Sequence, residues 1–205
     1  MTIGVARACP PFLLGFDVLS AVSEAMLREA TARGFKWCGR YLETMTGAER
    51  DLIFRYGFGI LPYTEAMIRV PLSAAGGRAR GVSACARADA LEAPPAVHVG
   101  IDLELPAAGS DVAGYVDAFA DALVSQARGA ALYVGDPQPL SGPELFDLLP
   151  NRYIKGGGAV VEPTCGGAAL QLEPLDGLSL AGVAVDVEVS KHDYEGRALI
   201  MWWPS

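Results

Sequence analysis

Basic residues are scarce in this chain of 205 residues, which has 16 Lys and Arg against 24 Asp and Glu. The formal net charge is −8, and no basic run or basic–aromatic patch offsets it. Binding to nucleic acid depends on clustered Lys and Arg that neutralise phosphates. The composition therefore argues against nucleic acid as a partner, and it also disfavours an anionic membrane surface.

Long apolar runs are lacking as well. A membrane-spanning helix needs about 20 apolar residues, and because no stretch approaches that length we predict no membrane span. The N-terminal segment has only a short apolar stretch, which Pro10 and Pro11 precede. It is a poor secretory signal, because such signals contain an apolar core of about 7–15 residues. We expect a cytoplasmic protein, or one released by a non-classical or phage-associated route.

Motifs for metal binding and for nucleophilic catalysis are missing too. The two histidines, His98 and His192, lie at no metal-ligand spacing from a cysteine, and neither accompanies a recognisable nucleophile elbow. His98 lies in an apolar run, which favours a satisfied interior histidine. We predict no cofactor and no metal, and a carboxylate-bound magnesium or calcium in a phosphodiesterase-like barrel is the alternative. The four cysteines form no C-x-x-C pair and are Cys9, Cys38, Cys85 and Cys165.

The sequence does contain a regular alternation of short apolar segments and amphipathic segments. Thr46 followed by Glu49 has the spacing of a capping box at a helix start. The apolar segments predict strands at 11–17, 35–42, 58–66, 95–105, 129–135, 152–157, 169–175 and 182–189. The amphipathic segments predict helices at 20–34, 46–57, 73–91, 110–128 and 143–150.

Strands that alternate with helices indicate a parallel sheet covered by helices, either open and doubly wound or closed into a barrel. The first predicted strand is not followed by the glycine-rich turn of a dinucleotide-binding sheet, and about eight strands favour closure. We predict a compact (β/α)8 TIM-type barrel of the α/β class. We expect a single domain over 1–205 with its core at 12–190 and an abbreviated second half.

Polar side chains fall at the predicted carboxyl ends of the strands, which form the mouth of a β/α barrel, where chemistry takes place. Asp102 and Glu104 end the fourth strand and point to the same side, about 6–7 Å apart. The pKa values of two close carboxyl groups move apart, so that one group can stay protonated while the other is ionised. Glycoside hydrolysis requires such a pair. The other polar residues near strand ends are Asp17, Arg40, Tyr41, Tyr63, Glu65, Tyr133, Gln171, Glu173, Asp186 and Glu188.

These segments together resemble a known family. The resemblance is to the glycoside-hydrolase-like barrel domain of unknown function found in bacteria and phages, which is similar to lysozyme-type muramidases. It implies a barrel with an acidic mouth and a carbohydrate substrate, such as a bacterial cell-wall or surface glycan. It covers roughly residues 12–190, and the segments that carry it, in order, are GFD at 15–17, GFKWCGRYL at 34–42, TGAERDLIFRYGFGILPYTEA at 46–66, VHVGIDLEL at 97–105, ALYVG at 131–135, ALQLEP at 169–174 and VAVDVEV at 183–189.

The resemblance also implies roles for individual residues. Glu104 would be the general acid, and Asp102 would orient or stabilise. Asp17 and Asp186 would shape the sugar subsite electrostatically. Gln171 matches the Gln that follows the seventh strand. From their positions at the strand ends, and in the case of Gln171 also from this match, the residues expected to contact the substrate are Arg40, Tyr41, Tyr63, Glu65, Tyr133 and Gln171.

The chain departs from the family pattern at two places. Leu170 stands where the family has a Trp before the Gln, and the sixth predicted strand has no Trp. A catalytically inactive glycan-binding or phage structural module is therefore the alternative function. The residues also have alternative interpretations: Asp17 as a helix N-cap, Arg40 as a structural partner of Asp102 and Glu104, Tyr63 and Tyr133 as packing residues, and Glu188 as solvent-exposed.

Overall fold

The structure is a computed structural model that describes residues 4–65, 70–103, 106–135, 140–148, 152–156, 166–172 and 177–205. The strands are β1 (Gly4–Ala8), β2 (Leu14–Val18), β3 (Trp37–Tyr41), β4 (Gly59–Glu65), β5 (His98–Leu103), β6 (Gly129–Val134), β7 (Tyr153–Lys155), β8 (Ala169–Gln171), β9 (Ser179–Leu180), β10 (Val183–Ala184), β11 (Asp186–Ser190) and β12 (Ile200–Pro204). The helices are α1 (Glu24–Ala32), α2 (Gly47–Arg55), α3 (Ala74–Ala90), α4 (Val112–Val124) and α5 (Gly142–Phe146).

Eight strands close into a barrel. Their order around the ring is β4-β3-β2-β11-β8-β7-β6-β5, and pairing of β4 with β5 completes it. The strands from β2 to β8 run parallel to one another. The predicted compact α/β barrel is confirmed. Its second half is abbreviated, because β7 and β8 have three residues each and α5 has five.

The direction of the last barrel strand differs from the prediction. Strand β11 pairs antiparallel with both β2 and β8, so the barrel is mixed rather than wholly parallel. A parallel pair needs a long crossover connection, usually a helix. The described part of the β8–β11 connection holds instead the hairpin β9–β10, whose strands pair through Leu180 and Val183. Strand β11 therefore starts at the mouth, where the parallel strands end.

Helices α1 and α2 begin at side-chain caps. The hydroxyl of Ser23 accepts a hydrogen bond from Met26 N, and that of Thr46 accepts one from Glu49 N. The predicted capping box at Thr46 is only half formed, because the Glu49 carboxylate accepts hydrogen bonds from Val22 N and from Arg40. Ser23, not Asp17, is the N-cap of α1. The alternative interpretation of Asp17 as a helix N-cap is therefore wrong.

Glycines in α3 allow this helix to pack closely against α4. A Cβ atom at Gly77 would lie 2.0 Å from the backbone oxygen of Tyr115, and one at Gly81 would lie 2.7 Å from the Cβ atom of Ala122. Both neighbours belong to α4. The α3–α4 pair therefore packs with backbones closer than any larger residue would allow.

The termini close the end of the barrel opposite the mouth. Strand β12 pairs with β1 along its length and meets β4 at Trp202 and Ile60. Trp202 packs edge-on against Phe54 of α2, with ring centroids 5.1 Å apart. Of the helices described, none is long and apolar enough to cross a membrane. Buried side chains fill the lumen below the mouth, so the barrel is not a pore, and they include Trp37, Leu61, Ala131, Ile154, Ala169 and Met201.

Candidate active site

An open cleft of about 590 Å³ lies at the mouth of the barrel. It is placed where the parallel strands end, as the sequence predicted. The apolar residues on one side come from the β9–β10 hairpin, and Leu19 contributes another apolar surface. The residues that line the cleft are Asp17, Val18, Leu19, Ser20, Tyr41, Tyr63, Glu65, Asp102, Tyr133, Gly177, Val183, Ala184, Val185 and Asp186.

Asp102 lies near the end of β5 and projects into the cleft. It is in register with Glu65 of β4 and Tyr133 of β6. The Tyr41 hydroxyl donates a hydrogen bond to Asp102 Oδ2, whereas Oδ1 is buried and has no hydrogen-bond partner among the described residues. Burial raises the pKa of Asp102; the Tyr41 hydrogen bond opposes this rise, and the charges of Glu65 and Asp186 add to it.

Two predicted acids lie outside the described residues. Glu104, the residue implied to be the general acid, is one of them, and Glu173 is the other. Strand β5 ends at Leu103, immediately before Glu104. The role of Glu104 thus stays a prediction.

Asp17 and Asp186 face each other across the antiparallel β2–β11 ladder. Side chains at directly opposite ladder positions lie about 4.5–5.5 Å apart at Cβ. Both residues line the cleft. The structure thus brings the first-strand and last-strand acids to one place, although Asp186 reaches the mouth from the start of an antiparallel strand.

Glu188 lies below this pair inside the barrel. It is two residues beyond Asp186 and in register with Gly15 and Gln171. Its side chain is fully buried at 0% exposure, so the interpretation as a solvent-exposed residue is wrong. Alternation along β11 places Glu188 on the same face of the strand as Asp186. The spacing of two residues between Asp186 and Glu188 in the sequence already indicated that both acids lie on the same face of the strand.

The carboxyl of Glu188 has an unusual environment. Neither oxygen has a hydrogen-bond partner among the described residues. Burial raises the pKa of Glu188 well above its ordinary value, and the negative charges of Asp17 and Asp186 raise it further. The Tyr63 hydroxyl lies close enough to oppose this rise, although no hydrogen bond of ordinary geometry joins the two groups.

Tyr63 forms part of the cleft floor and is only 1% exposed. A Cβ atom at Gly39 would lie 2.5 Å from its ring, and one at Gly100 would lie 2.6 Å from it. These strand glycines leave the space that the ring occupies. The ring of Tyr41 lies beside it, with centroids 5.8 Å apart. Tyr63 therefore packs across the lumen and also borders the cleft.

Tyr133 and Gln171 form a second polar contact in the lumen. The Tyr133 hydroxyl donates a 2.6 Å hydrogen bond to Gln171 Oε1, linking β6 to β8. Tyr133 lines the cleft, whereas Gln171 is not among the described lining residues. Glu65, in contrast, is an exposed residue at the rim.

Arg40 does not contribute to the cleft, which corrects the expectation that it contacts substrate. It points away from the lumen and is fully buried beneath α2. Its guanidinium donates to Glu49 at 2.7 Å and to the backbone oxygen of Val18 at 2.6 Å. The alternative pairing of Arg40 with Asp102 is also wrong, since Glu49 is its ionic partner.

A side pocket of about 180 Å³ adjoins the cleft at Leu19, Tyr41 and Glu65. Its remaining lining residues include Glu43 and Arg80, neither of which the sequence suggested. Arg80 donates a 3.0 Å hydrogen bond to Glu43. Arg80 lies on the helix that follows β4, and only the packing of that helix brings it to the mouth.

The electrostatics of the cleft are dominated by carboxylates. No Lys, Arg or His is among its described lining residues. Within the described ranges, no three His, Cys, Asp or Glu side chains are arranged to hold a metal ion. His98 lies deeper in the barrel, where its Nδ1 accepts a 2.9 Å hydrogen bond from Ile200 N. The prediction of a satisfied interior histidine is confirmed.

The fold is shared with solved structures of low sequence identity. An uncharacterised protein of B. stearothermophilus superposes with a TM-score of 0.71 at 18% identity, over 87% of this chain and 96% of that one. A Tat-secreted protein of Mycobacterium tuberculosis, solved with L-tartrate, gives 0.66 at 14%, over 91% and 98%. A muramidase from Acremonium alcalophilum gives 0.60 at 12%, over 89% and 95%. The sequence matches no protein-family model and no curated protein.

Proposed function

We propose that this protein is a glycoside hydrolase that cleaves a bacterial cell-wall or surface glycan by carboxylate acid/base catalysis. The observation that carries the proposal is the position of Asp102. It projects from the carboxyl end of a barrel strand into an open cleft, with Asp17 and Asp186 among the other lining residues. The shared fold with a muramidase supports a peptidoglycan-type substrate.

The chemistry needs one protonated and one ionised carboxyl on either side of the scissile bond. Glu104 would donate a proton to the glycosidic oxygen as the bond breaks. Asp102 would orient the reacting sugar or stabilise the positive charge that develops at its anomeric carbon. The raised pKa of Asp102 fits a carboxyl that shares a partly desolvated site with other acids.

Asp17 and Asp186 would act on the same positive charge from the opposite side. A sugar ring in the transition state is oxocarbenium-like. Fixed negative charges in a partly desolvated cleft stabilise such a state more than water does. No cation is among the described lining residues of the cleft, and the carboxylates of Asp17, Asp102 and Asp186 all line it.

The test is release of soluble reducing ends from purified peptidoglycan. Wild-type protein should release them, and Glu104→Gln should lower the rate by about 10²–10⁴-fold, the usual contribution of general acid catalysis. Asp102→Asn should also lower it. Asp121→Asn is the matched control, because Asp121 is an exposed residue of α4 that pairs with Arg78. Unchanged release by Glu104→Gln would remove Glu104 from the mechanism.

A glycan-binding module without activity is the second candidate. One observation favours it: the described cleft lining has no Trp, and two of its three tyrosines, Tyr41 and Tyr63, are largely buried. Stacking of sugar rings on exposed aromatic faces is therefore limited. Under this candidate, wild-type protein would co-sediment with peptidoglycan and release nothing, and Asp102→Asn would still bind.

A further inference from the structure

Glu188 is the buried acid that the proposed mechanism does not use. The groups that face it come from four barrel strands in addition to its own. Among the described residues they are Asp17 of β2, Tyr63 of β4, Asp102 of β5, Asp186 of β11 itself, and the uncharged Gln171 of β8. None of them is a cation. A carboxylate ion at this position would be buried with no positive partner among the described residues, and the Tyr63 hydroxyl is the one described group close enough to oppose its charge, without a hydrogen bond of ordinary geometry.

A buried, unpaired charge is far more costly than a buried neutral acid. The charged form would also lie directly below Asp17 and Asp186, which already face each other. Three carboxylates stacked in this way would repel one another. The neutral form adds a hydrogen-bond donor to the lumen and no charge.

We propose that Glu188 is a positioning residue that works as a neutral carboxylic acid: Asp17 and Asp186 carry the negative charge of the cleft, and the protonated Glu188 carboxyl offers these carboxylates a hydrogen-bond donor from below. This inference rests on the proposed function for its kinetic consequence, but not for the protonation state. The strongly raised pKa of Glu188 agrees with it.

The protonation state can be tested without any substrate. A folded protein that keeps a proton on Glu188 releases it on unfolding, at any pH above the ordinary glutamate pKa of about 4.3. Rising pH therefore favours unfolding until the folded-state pKa is reached. Relative to Glu188→Gln, the unfolding equilibrium constant of the wild type should increase by up to about tenfold for each pH unit above that value.

The matched control for this experiment is Glu24→Gln. Glu24 is exposed on α1, and its hydrogen bond from Arg28 lowers its pKa. Any pH dependence that it contributes has the opposite sign. A wild-type-to-Glu188→Gln difference that stays constant from pH 5 to pH 8 would overturn the proposal. Should Glu188→Gln fail to fold, carbon NMR of wild-type protein labelled at glutamate carboxyls must show a high-pKa resonance that persists in Glu104→Gln.

The positioning role is tested by kinetics on peptidoglycan with two nearly isosteric variants. Glu188→Gln keeps a neutral polar group, and its kcat should stay within about threefold of the wild-type value. Glu188→Leu removes the polar group, and its kcat should fall about tenfold or more with KM unchanged, roughly the loss expected for one buried hydrogen bond to an ion.

The outcomes separate the two proposals. Equal losses in Glu188→Gln and Glu188→Leu would mean that the ionised form is needed and would overturn the inference. Full activity in both would remove the positioning role. If wild-type protein has no activity, the proposed function has failed, and the unfolding experiment alone decides whether Glu188 is neutral.

Discussion

The hydroxyl of Tyr41 donates its hydrogen bond to the carboxylate of Asp102 across the mouth of the barrel. The donor is at the end of β3 and the acceptor near the end of β5, with the strand of Tyr63 between them. This contact stabilises the ionised form of Asp102 against the effect of burial. The hydrogen bond links Asp102, an acid that lines the cleft, to Tyr41, whose side chain is largely buried.

Removing this donor should shift the titration of Asp102. In Tyr41→Phe the pKa of Asp102 should rise further, because only burial and neighbouring negative charges remain. A hydrogen bond to a charged group is worth roughly 1.5–3 kcal/mol, so a rise of about one to two pH units in the pKa of Asp102 is expected. The acid limb of the kcat/KM profile should move to higher pH by that amount. Tyr56→Phe is the control, since it removes a tyrosine–carboxylate hydrogen bond, to Glu24, at residues that do not line the cleft.

The Arg40–Glu49 ion pair should matter for stability and not for substrate binding. Arg40→Met leaves Glu49 buried without its cation, which typically costs about 3–5 kcal/mol of unfolding free energy. Urea unfolding measures this loss. The exposed Arg78–Asp121 pair is the comparison, and Arg78→Met should cost less than about 1 kcal/mol. A changed KM in folded Arg40→Met protein would contradict the placement of Arg40 outside the cleft.

His98 should make the protein sensitive to acid. Burial lowers its pKa from 6.5 to about 4, whereas the unfolded chain takes up the proton near the ordinary value. Falling pH therefore favours unfolding between pH 6.5 and pH 4, and the loss is complete below about pH 4. The wild type should lose about 3 kcal/mol over this range relative to His98→Asn. His192→Asn, a substitution at an exposed position, is the control.

The β9–β10 hairpin should depend on its anchor to α1. Ala181 N, at the hairpin turn, donates a 2.6 Å hydrogen bond to Glu29 Oε2. Glu29→Ala should speed hydrogen exchange of the Ala181 amide by about three- to tenfold, as expected for loss of an ordinary hydrogen bond. On the proposed substrate, KM should rise and kcat should not change. Arg33→Met removes only the ion pair of Glu29 and should leave exchange at Ala181 as it is.

The barrel was predictable because its signals are local. Apolar segments separated by amphipathic segments predict strands and helices, and about eight strands predict closure. Alternation within a strand also predicted that Asp102 would project from the mouth. The antiparallel direction of β11 was not predictable in this way, because it depends on where the chain returns after β8. The pattern predicts no helix between the strands at 169–175 and 182–189, and this gap was the one local signal of the change in direction.

Arg40 and Glu188 show the limit of reasoning from alternation. Neighbouring positions on a strand point to opposite faces, so Arg40 and Tyr41 had to point to opposite sides. The hydrophobic pattern of a barrel strand does not indicate which of its faces points into the lumen, because both faces are buried. Arg40 proved to lie under α2 beside Glu49, whereas Glu188 proved to lie inside the barrel.

By itself, the sequence determined the order of strands and helices and the acidic character of the chain. It also determined that strand residues two positions apart, such as Asp186 and Glu188, point to the same face of the sheet. Only the tertiary structure decided that Asp17 meets Asp186 and that Glu188 is enclosed beneath them. The physical reason is range. Alternation and capping act over a few residues, whereas these contacts join positions about 170 apart in the chain and exist only once the sheet closes.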